Sequence, residues 1–329
     1  MITLGIETSC DDTAIAIYNA AERCMIYNKR HSQLDRHNQF GGIMPELASR
    51  DHQAHLLPLL DDAIQASDLG LKDIDLIAYT RGPGLVGSLF VGASLAHGLG
   101  MALNTPLIDV HHHRAHIEIT RLDNPDITYP FLALLVSGGH TLLCLVSSIS
   151  ECEILGATID DAIGETLDKC ARVMGLAYPG GPEIERLAKE VNTVSLQLPK
   201  PMINDPTLNM SFSGLKTALI RQHETNDHTQ AELALALQNA IASVLEKKLL
   251  RALKMTQAKQ VVFCGGVAAN QFLGQHLQTV CQSNDATCII PKMNYCTDNG
   301  AMVAFTGAEM YLAGMRYSGQ LVDPSWRLS

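Results

Sequence analysis

The sequence lacks the features that mark secreted, fibrous or disordered proteins. Neither a basic n-region nor an apolar h-region precedes Glu7, so no signal peptide is predicted. Glycine (25 residues) and proline (13 residues) are close to their average abundance, which excludes a fibrous chain. Charged residues make up only 18% of the 329 residues and hydrophobic ones 47%. Such a chain can bury a large core and is not intrinsically disordered.

Cysteine pairs at metal-binding or redox spacing are also missing. The nine cysteines are scattered from Cys10 to Cys296, and no two of them have Cys-x-x-Cys spacing. An odd number without such pairs excludes a disulfide framework and a cysteine-based zinc site. We therefore expect reduced thiols and a cytoplasmic location.

An excess of basic residues is absent as well. Lysine and arginine total 24 against 34 acidic residues, which gives a formal net charge of -10. A basic surface is the usual footprint of a nucleic-acid binder, so the overall charge argues weakly against nucleic-acid binding. A local basic patch could still bind nucleic acid. One candidate patch lies on and just after a helix predicted over 230–255, although a solvated amphipathic face is the favoured interpretation of Lys247, Lys248, Arg251, Lys254 and Lys259.

Charged residues are missing altogether between Gly82 and Ile108, a stretch that approaches the length of a transmembrane helix. The stretch also contains six glycines and two prolines. We therefore predict a glycine-rich entry, a buried helix and a following strand, with no contact to a membrane.

Two similar hairpins predict two lobes of related design. The first has strands at Ile2–Ile6 and Thr13–Tyr18, and the second, about 130 residues later, has strands at Phe131–Val136 and Thr141–Val146. Strands alternate with helices along the rest of the chain, which indicates an α/β protein with a mixed sheet in each lobe. A polar, proline-bearing stretch at 123–130 suits the boundary between the lobes.

One predicted helix contains a proline. Pro45 suits its first turn, and its apolar face is predicted to consist of Leu47, Ala54, Leu57, Leu60 and Ile64. Pro58 is expected to bend or divide this helix, because proline cannot donate the backbone hydrogen bond.

Four histidines lie within six residues in His111-His112-His113-Arg114-Ala115-His116. On a helix, His112 and His116 project from one face, a spacing that suits two-point metal chelation. A zinc-protease helix would need glutamate directly after His112, where the chain has His113. A histidine-rich surface turn is the alternative interpretation.

A third metal ligand would have to be a distant carboxylate, and Asp298 is the candidate. It lies in Tyr295-Cys296-Thr297-Asp298-Asn299-Gly300, just before a predicted apolar helix. From the local sequence alone, a helix N-cap is the favoured role for this aspartate.

Glycine-rich turns form a second class of candidate site. Ser137-Gly138-Gly139-His140 joins two strands, while Gly82-Pro83-Gly84 and Gly265-Gly266 each precede a helix. Such turns let backbone N–H groups approach a phosphate, although none matches the Walker A or Gly-x-Gly-x-x-Gly pattern. Three of them in one α/β chain favour nucleotide or phosphate binding.

A third segment places Asp161, Glu165 and Asp168 on one helical face, where a solvated face is the favoured interpretation. The rigid turn Tyr178-Pro179-Gly180-Gly181-Pro182 follows, and it could bring the Gly181 backbone against a ligand.

Together these segments resemble one family, the universal tRNA adenosine threonylcarbamoyltransferases. Ten matching stretches occur in the family's order and cover nearly the whole chain: LGIETSCDDTAIAIY from Leu4, GGIMPELASRDH from Gly41, GPGLVGSLFVGA from Gly82, VHHHRAH from Val110, LLVSGGHT from Leu134, IDDAIGETLDK from Ile159, YPGGP from Tyr178, SFSGLKT from Ser211, GGVAAN from Gly265 and CTDNGAM from Cys296.

The resemblance implies the actin/Hsp70/sugar-kinase fold, an α/β architecture of two ribonuclease-H-like lobes with mixed sheets around a central cleft. The N-terminal lobe would span 1–128 and be completed by a C-terminal helix at about 299–329, and the C-terminal lobe would span 129–298. The resemblance also implies a reaction: transfer of a threonylcarbamoyl group from L-threonylcarbamoyl-AMP to N6 of adenosine 37, with release of AMP. The tRNAs concerned read codons that start with A.

The resemblance also assigns residues. It implies one divalent metal per subunit, Fe²⁺ or else Zn²⁺, held by His112, His116 and Asp298, which reverses the local preference for Asp298 as a cap. The substrate-side residues would be Leu135, Val136, Ser137, Gly138, Gly139, Asp168, Gly181 and Asn270, and ATP or another adenine nucleotide could occupy the cleft. The implied partners are tRNA, a TsaB-like paralogue in a heterodimer, a TsaE-like ATPase and a TsaC-type synthase that supplies the intermediate.

Two departures from the family bear on the site. Asp12 stands where glutamate is common, and Arg114-Ala115 stands where Glu-Gly is common. We expect Arg114 to add a cation beside the site that faces an anionic substrate. Asp11, in the first hairpin turn, is the hypothetical catalytic residue that orients the adenine amine or accepts its proton.

Two other functions stay open at this point. The His-x-x-x-His spacing also suits a metalloprotease, although the glutamate after His112 is missing. A nucleotide-binding regulator of the Hsp70 type is the other alternative, and it would need no metal centre at His112, His116 and Asp298.

Overall fold

The computed structural model describes residues 1–38, 40 and 42–328; Gly41, the first residue of one family-like stretch, lies outside them. The chain divides into two compact units. Unit 1 consists of Met1–Pro125 with Thr297–Ser329, and unit 2 of Asp126–Cys296.

Unit 1 contains a mixed five-stranded sheet. Its strands are β1 (Ile2–Glu7), β2 (Asp12–Asn19), β3 (Cys24–Ser32), β4 (Leu76–Gly82) and β5 (Leu107–His111). Their order is β3-β2-β1-β4-β5, with antiparallel pairing from β3 to β1 and parallel pairing from β1 to β5. The carboxyl ends of the three parallel strands therefore meet at one edge of the sheet. The helices of the unit are α1 (Leu34–Asn38), α2 (Pro45–Ser67), α3 (Val86–Leu103), α4 (His112–Glu118), α5 (Thr120–Asp123) and α12 (Gly300–Leu312).

Unit 2 repeats this topology. Its strands are β6 (Phe131–Val136), β7 (Thr141–Val146), β8 (Cys152–Ala157), β9 (Gln260–Cys264) and β10 (Thr287–Ile289). Their order is β8-β7-β6-β9-β10, again with three antiparallel strands followed by two parallel ones. The helices are α6 (Ile163–Val173), α7 (Gly180–Ala188), α8 (Ser213–Thr225), α9 (Gln230–Thr256), α10 (Gln271–Gln282) and α11 (Met293–Cys296).

The two hairpins predicted from the sequence are confirmed, and so is the α/β class with a mixed sheet in each lobe. Strands β6 and β7 have the predicted bounds, while β1 and β2 extend the predicted strands by one or two residues. The similar hairpins occupy the same place in the two sheets.

Helix α3 is the uncharged stretch of the sequence. It is the single helix in the described part of the chain that is long and apolar enough to cross a membrane, and a third of it is buried. It packs on the sheet through small residues, since a Cβ on Gly92 would lie 2.4 Å from Thr8 Oγ1 and Ala93 and Ala96 are fully buried. The predicted buried helix is therefore a partly buried core helix.

Helix α2 departs from two predictions. It runs unbroken through Pro58, so of the two expected effects, a bend or a division, the division does not occur. The proline leaves the carbonyl oxygen of Ala54 without a donor in the helix. Both residues lie on the exposed face, where water can donate to that oxygen. The predicted apolar face was also partly wrong: Leu57 is 58% exposed, while the polar His52 is fully buried.

Helix α12 packs so closely on β1 and β2 that glycine is required at both contacts. A Cβ on Gly5 would lie 2.5 Å from the backbone nitrogen of Ala304, and one on Gly300 would lie 2.5 Å from the carbonyl carbon of Ile15. This close packing anchors the start of α12, and with it Thr297–Asn299, beside the sheet of unit 1.

We expect Gly5→Ala to lower the free energy of unfolding of unit 1 by about 2 kcal/mol or more, because backbone atoms on both sides must move. Gly98→Ala in α3 is the matched control, since a Cβ there has no heavy atom within 4 Å. It should raise stability by about 0.5–1 kcal/mol through helix propensity. Denaturant unfolding monitored by circular dichroism measures both. Equal effects of the two changes would contradict the close packing.

Candidate metal centre

Strand β5 leads directly into the histidine-rich segment. His111 is the N-cap of α4, and its Nδ1 accepts a hydrogen bond from the backbone N–H of His113 at 3.1 Å. The helix then places His112 and His116 on one face, with ring centroids 4.8 Å apart and ring planes at 89°. The predicted helical arrangement of these two imidazoles is therefore confirmed.

Asp298 completes the group. Its Oδ1 lies 2.9 Å from Nε2 of His116 and 3.6 Å from Nε2 of His112. One ligand atom from each of the three residues lies within 4.8 Å of the others. Two imidazoles and a carboxylate form a donor set that suits a divalent metal, and the group could hold one.

The alternative role of Asp298 as a helix cap is wrong. Asn299 is the N-cap of α12, and its side-chain oxygen accepts a hydrogen bond from the backbone N–H of Met302 at 2.8 Å. The neighbouring aspartate is therefore free to face the histidines.

A buried glutamate that the sequence analysis did not single out supports His112. Glu7, at the end of β1, is fully buried, and its Oε2 lies 3.2 Å from Nδ1 of His112. Because a carboxylate only accepts, this contact places the proton on Nδ1 and leaves Nε2 for a metal. Thr80 Oγ1 and the backbone N–H of Ser9 each donate to Glu7 at 2.6 Å. The missed signal was an acidic residue at the end of a strand that is otherwise apolar.

The electrostatics of the centre favour an acidic, cation-binding site. Burial disfavours the charged form of His112, but the carboxylates of Asp298 and Glu7 outweigh it and raise the pKa of His112 to about 9. For Asp298, burial is likewise outweighed by His112 and His116, which lower its pKa. Without a bound cation, protonated His112 therefore supplies the positive charge between the two carboxylates.

A second group with the same donor types differs in geometry. His31, Asp51 and His55 also have ligand atoms within 4.8 Å of one another. Their imidazoles, however, stack face to face at 3.5 Å with planes 11° apart, so that their lone pairs lie in two nearly parallel planes. Arg36 also pairs with the Asp51 carboxylate. The perpendicular rings of His112 and His116 distinguish the candidate centre from this group.

Asp11 and Asp12 lie in the turn that follows Glu7. Burial and the charge of Asp298 raise the pKa of Asp11, and the same two causes raise that of Asp12 to about 7. Asp12 pairs with Arg30 at 2.9 Å, and the same guanidinium nitrogen donates to Thr297 Oγ1 at 2.8 Å. Arg30 therefore links this turn to the segment that carries Asp298.

Arg114 does not have the expected position. Its side chain is buried, and Nε lies 2.9 Å from Oε1 of the buried Glu118, which also pairs with Arg121. The prediction that Arg114 faces an anionic substrate is wrong, because a buried carboxylate on the same helix pairs with it.

The residues predicted to bind the substrate all belong to unit 2, and most of them lie at or just after the carboxyl ends of β6 and β9. Leu135 and Val136 are fully buried in β6, so that their side chains face the core. The following turn is different: Gly138 and Gly139 have open space at the Cβ position and no positive φ. Neither packing nor backbone conformation requires glycine there, which leaves the turn from Ser137 to Gly139 accessible to a ligand.

Helix α6 begins against this turn. The backbone N–H of Gly164 donates to the carbonyl oxygen of Ser137 at 3.2 Å, and a Cβ on Gly164 would lie 2.6 Å from that oxygen. Gly265, with φ of +89°, brings the turn after β9 equally close to Val136. Glycines thus bring both turns and a helix N-terminus together, as nucleotide-binding α/β units do.

Asp168 and Asn270 have structural partners in unit 2. Asp168 Oδ1 accepts from the backbone N–H of Gly180 at 2.7 Å and so caps α7, which begins with Gly180 and Gly181. Asn270 caps α10 through its oxygen and donates to Gln238 at 2.8 Å through its nitrogen. The backbone of Gly181 also hydrogen-bonds to Asp168, so this carboxylate fixes the start of α7. One N–H of the Asn270 amide lies beyond the bonds described for that side chain.

Comparisons with known proteins agree with this geometry. A family profile described as "TsaD: tRNA N6-adenosine threonylcarbamoyltransferase" matches residues 24–305. The chain belongs to this family. A tRNA N6-adenosine threonylcarbamoyltransferase of Nitrosospira multiformis is 44% identical, with 100% of this chain and 97% of the relative aligned. One of Legionella pneumophila is 42% identical over the full length of both chains. The prediction of a tRNA-modifying transferase is thus confirmed.

Two solved structures show the fold alone. HypF of T. kodakarensis matches with a TM-score of 0.68 at 15% identity, over 98% of this chain and 49% of that one. Component A of the Acidaminococcus fermentans (R)-2-hydroxyglutaryl-CoA dehydratase matches with a TM-score of 0.59 at 13% identity, over 95% and 99%. With the two mixed five-stranded sheets, these likenesses confirm the predicted actin-like class.

The raised pKa of His112 predicts that metal affinity depends on pH. Since a cation must displace that proton, the apparent affinity of the metal-free protein for Zn²⁺ should rise by about tenfold per pH unit below about pH 9. Competition with a chromophoric chelator between pH 6 and 8 measures the slope. Glu7→Gln should make it shallower, because one of the carboxylates that hold the proton is lost. A slope near zero in the wild-type protein would contradict the assignment.

The roles of two adjacent residues can be separated. Asp298→Ala should lower Zn²⁺ affinity by more than about 100-fold, beyond what changes outside the ligand set cost. Asn299→Ala should lower the free energy of unfolding by about 1 kcal/mol through loss of the cap, with Zn²⁺ affinity retained. Calorimetric titration and denaturant unfolding of both variants measure this. The reverse pattern would restore Asp298 as the cap.

Proposed function

We propose that this chain transfers the threonylcarbamoyl group from L-threonylcarbamoyl-AMP to N6 of adenosine 37 in tRNAs that read codons starting with A, and releases AMP. The observation that supports the proposal most directly is the group of His112, His116 and Asp298 backed by the buried Glu7. Membership of the family supplies the reaction class, and the site supplies the residues that could perform it.

We propose His112, His116 and Asp298 as ligands of one divalent metal, Fe²⁺ in preference to Zn²⁺, because two imidazoles and one carboxylate with open positions are typical of non-haem iron. When bound, this metal supplies Lewis-acid polarisation and a template for oxygen ligands. Glu7 and Thr80 keep the His112 imidazole in the orientation and tautomer that coordination requires.

The donor is proposed to bind on unit 2. In this proposal the turn from Ser137 to Gly139 donates backbone N–H groups to the oxygen on which negative charge develops, and the adenosine lies near Gly181 and Asn270. The open space at Gly138 and Gly139 supports it. Leu135 and Val136 support the turn from within the sheet, and Asp168 orients Gly180 and Gly181 as well as meeting the ligand. ATP or another adenine nucleotide would fit the same residues.

The amine of adenosine 37 is a weak nucleophile, so positioning should contribute most of the rate enhancement. Asp11 is proposed to orient this amine or to accept its proton when the carbamoyl carbon is attacked. Its raised pKa brings the carboxylate closer to the range of a general base.

The predicted basic patch is only partly exposed: Lys247, Lys254 and Lys259 face solvent, whereas the other two cations bind backbone carbonyl groups. Lys248 is buried, and its Nζ donates to the carbonyl oxygens of Asp205 and Thr207 at 3.1 and 2.8 Å. Arg251 donates to the same two carbonyl groups. The predicted solvated face is therefore wrong for the buried Lys248, and Arg251 is only half-exposed. We therefore propose that partners contribute to tRNA binding.

The proposed partners are a TsaB-like paralogue, a TsaE-like ATPase and a TsaC-type synthase that supplies the donor, in the cytoplasm. None of the nine cysteines, all of which lie within the described residues, forms a disulfide, which is compatible with that compartment. The boundaries of the two lobes are proposed near residues 128 and 298. A regulator of the Hsp70 type is the alternative, and a metalloprotease is disfavoured because buried His113 occupies the position of its general base.

The test uses the purified protein with unmodified tRNA and preformed L-threonylcarbamoyl-AMP, with and without the proposed partners. Mass spectrometry of the nucleosides should show threonylcarbamoyladenosine with the wild type and with the remote, exposed variant Arg316→Ala. His112→Ala should abolish it, and Asp11→Asn with normal metal content should lower the rate by about 100-fold or more if it acts as a base.

Each outcome decides a separate point. Full activity of Asp11→Asn would remove the role of Asp11 and leave the reaction. Full activity of His112→Ala would remove the metal centre. No product from the wild type with all partners present would favour the Hsp70-type regulator, and ATP turnover would then be the decisive assay.

A further inference from the structure

The C-terminal residues 318–328, called here the strap, lie against the carboxyl ends of β4 and β5. The backbone N–H of Asp323 donates to the carbonyl oxygen of Arg81 at 2.9 Å, and Ser318 donates to both oxygens of the buried Asp109 at 2.8 Å. A Cβ on Gly82 would lie 1.8 Å from the carbonyl oxygen of Asp323. The strap is therefore packed into the strand ends that precede the candidate metal centre.

Trp326 connects this strap to the histidine-rich segment. The Arg81 guanidinium lies over its ring at 3.2 Å from the centroid, and the same guanidinium pairs with Asp109 at 2.5 Å. The backbone carbonyl oxygen of Trp326 lies 3.2 Å from Nε2 of the buried His111. The centroids of the indole and imidazole rings are 4.8 Å apart. Arg81 therefore holds the side chain of Trp326 in place, and the backbone carbonyl group of the same residue is thereby held against His111.

These contacts define one tautomer of His111. Nδ1 accepts the N–H of His113 at the start of α4, so it carries no proton. Nε2 faces a carbonyl oxygen, which only accepts, so it carries the proton. In the other tautomer both nitrogens would face the wrong group: Nδ1–H would meet an N–H, and Nε2 would meet a carbonyl oxygen.

We infer that His111 is a positioning residue for the metal centre, held by the Trp326 carbonyl in the tautomer that caps the helix bearing His112 and His116. It touches neither metal nor substrate. It fixes the first turn of α4, and the direction of the His112 side chain depends on that turn. The inference rests on the proposed function of His112, His116 and Asp298 as ligands.

The main test measures the affinity of the metal-free, full-length protein for Zn²⁺ by competition with a chromophoric chelator. His111→Ala loses the cap and the strap contact and should bind Zn²⁺ about tenfold or more weakly, as do losses of groups that orient metal ligands. His111→Asn keeps a good capping oxygen and should recover most of this loss. Trp326→Phe keeps the carbonyl group and an aromatic ring and should bind like the wild type.

A chain that ends at Pro324 removes the carbonyl group itself and should weaken Zn²⁺ binding to a similar degree as His111→Ala. Nitrogen-15 NMR of the histidine rings should show an unprotonated Nδ1 at His111 in the metal-free wild type and a mixture of tautomers in the shortened chain. Leu60→Ala, which removes a buried side chain from the core of unit 1, is the control for general destabilisation. Measured well below its melting temperature, it should leave Zn²⁺ affinity unchanged.

The outcomes separate this inference from the proposed function. If His112→Ala loses Zn²⁺ binding while His111→Ala and the shortened chain bind it normally, the metal centre stands and the positioning role is wrong. If His112→Ala also binds normally, the metal centre itself is wrong. An effect of Leu60→Ala as large as that of His111→Ala would reduce His111 to a general structural role and overturn the inference.

Discussion

The close contact between α12 and β1 is the constraint on which the candidate centre depends. Glycines at positions 5 and 300 let the helix approach the sheet at backbone distance. Because α12 is fixed there, the residue two positions before it lies beside His116, from which it is separated by 182 residues of chain. A wider contact would shift Asp298 away from both imidazoles, and the donor set would lose its carboxylate.

The rest of the centre is built at the carboxyl ends of parallel strands. Strand β1 ends at Glu7, β4 contributes Thr80, and β5 ends where the histidine-rich helix begins. At these ends Glu7 bonds to both Thr80 and His112, and such a buried network holds each side chain in one orientation. Unit 2 repeats the arrangement with its glycine-rich turns after β6 and β9. One topology, used twice, thus carries the candidate metal ligands at the strand ends of one unit and glycine-rich turns at those of the other.

Much of the fold could be predicted because its signals are local. The strands β6 and β7 follow from continuous apolar runs around a glycine turn, and His112 and His116 share a face because helical periodicity requires it. Predictions from a single helix were less accurate. The buried face of α2 differs from the predicted one because it includes the polar His52. This side chain donates to the carbonyl oxygen of Cys10 and accepts from Thr13. A pattern of apolar residues cannot reveal a buried face that polar partners satisfy.

The sequence by itself determined the α/β class, the repeated hairpins, the family and the two helical histidines, since all of these are written in short-range patterns or in ordered motifs. Only the tertiary structure decided that Asn299 and not Asp298 caps α12, that Glu7 supports His112, and that Lys248 and Arg114 are buried with partners. The physical reason is that each of these roles depends on a partner far away in the chain. The local sequence shows which chemical groups each side chain carries. Tertiary packing determines which partners those groups contact.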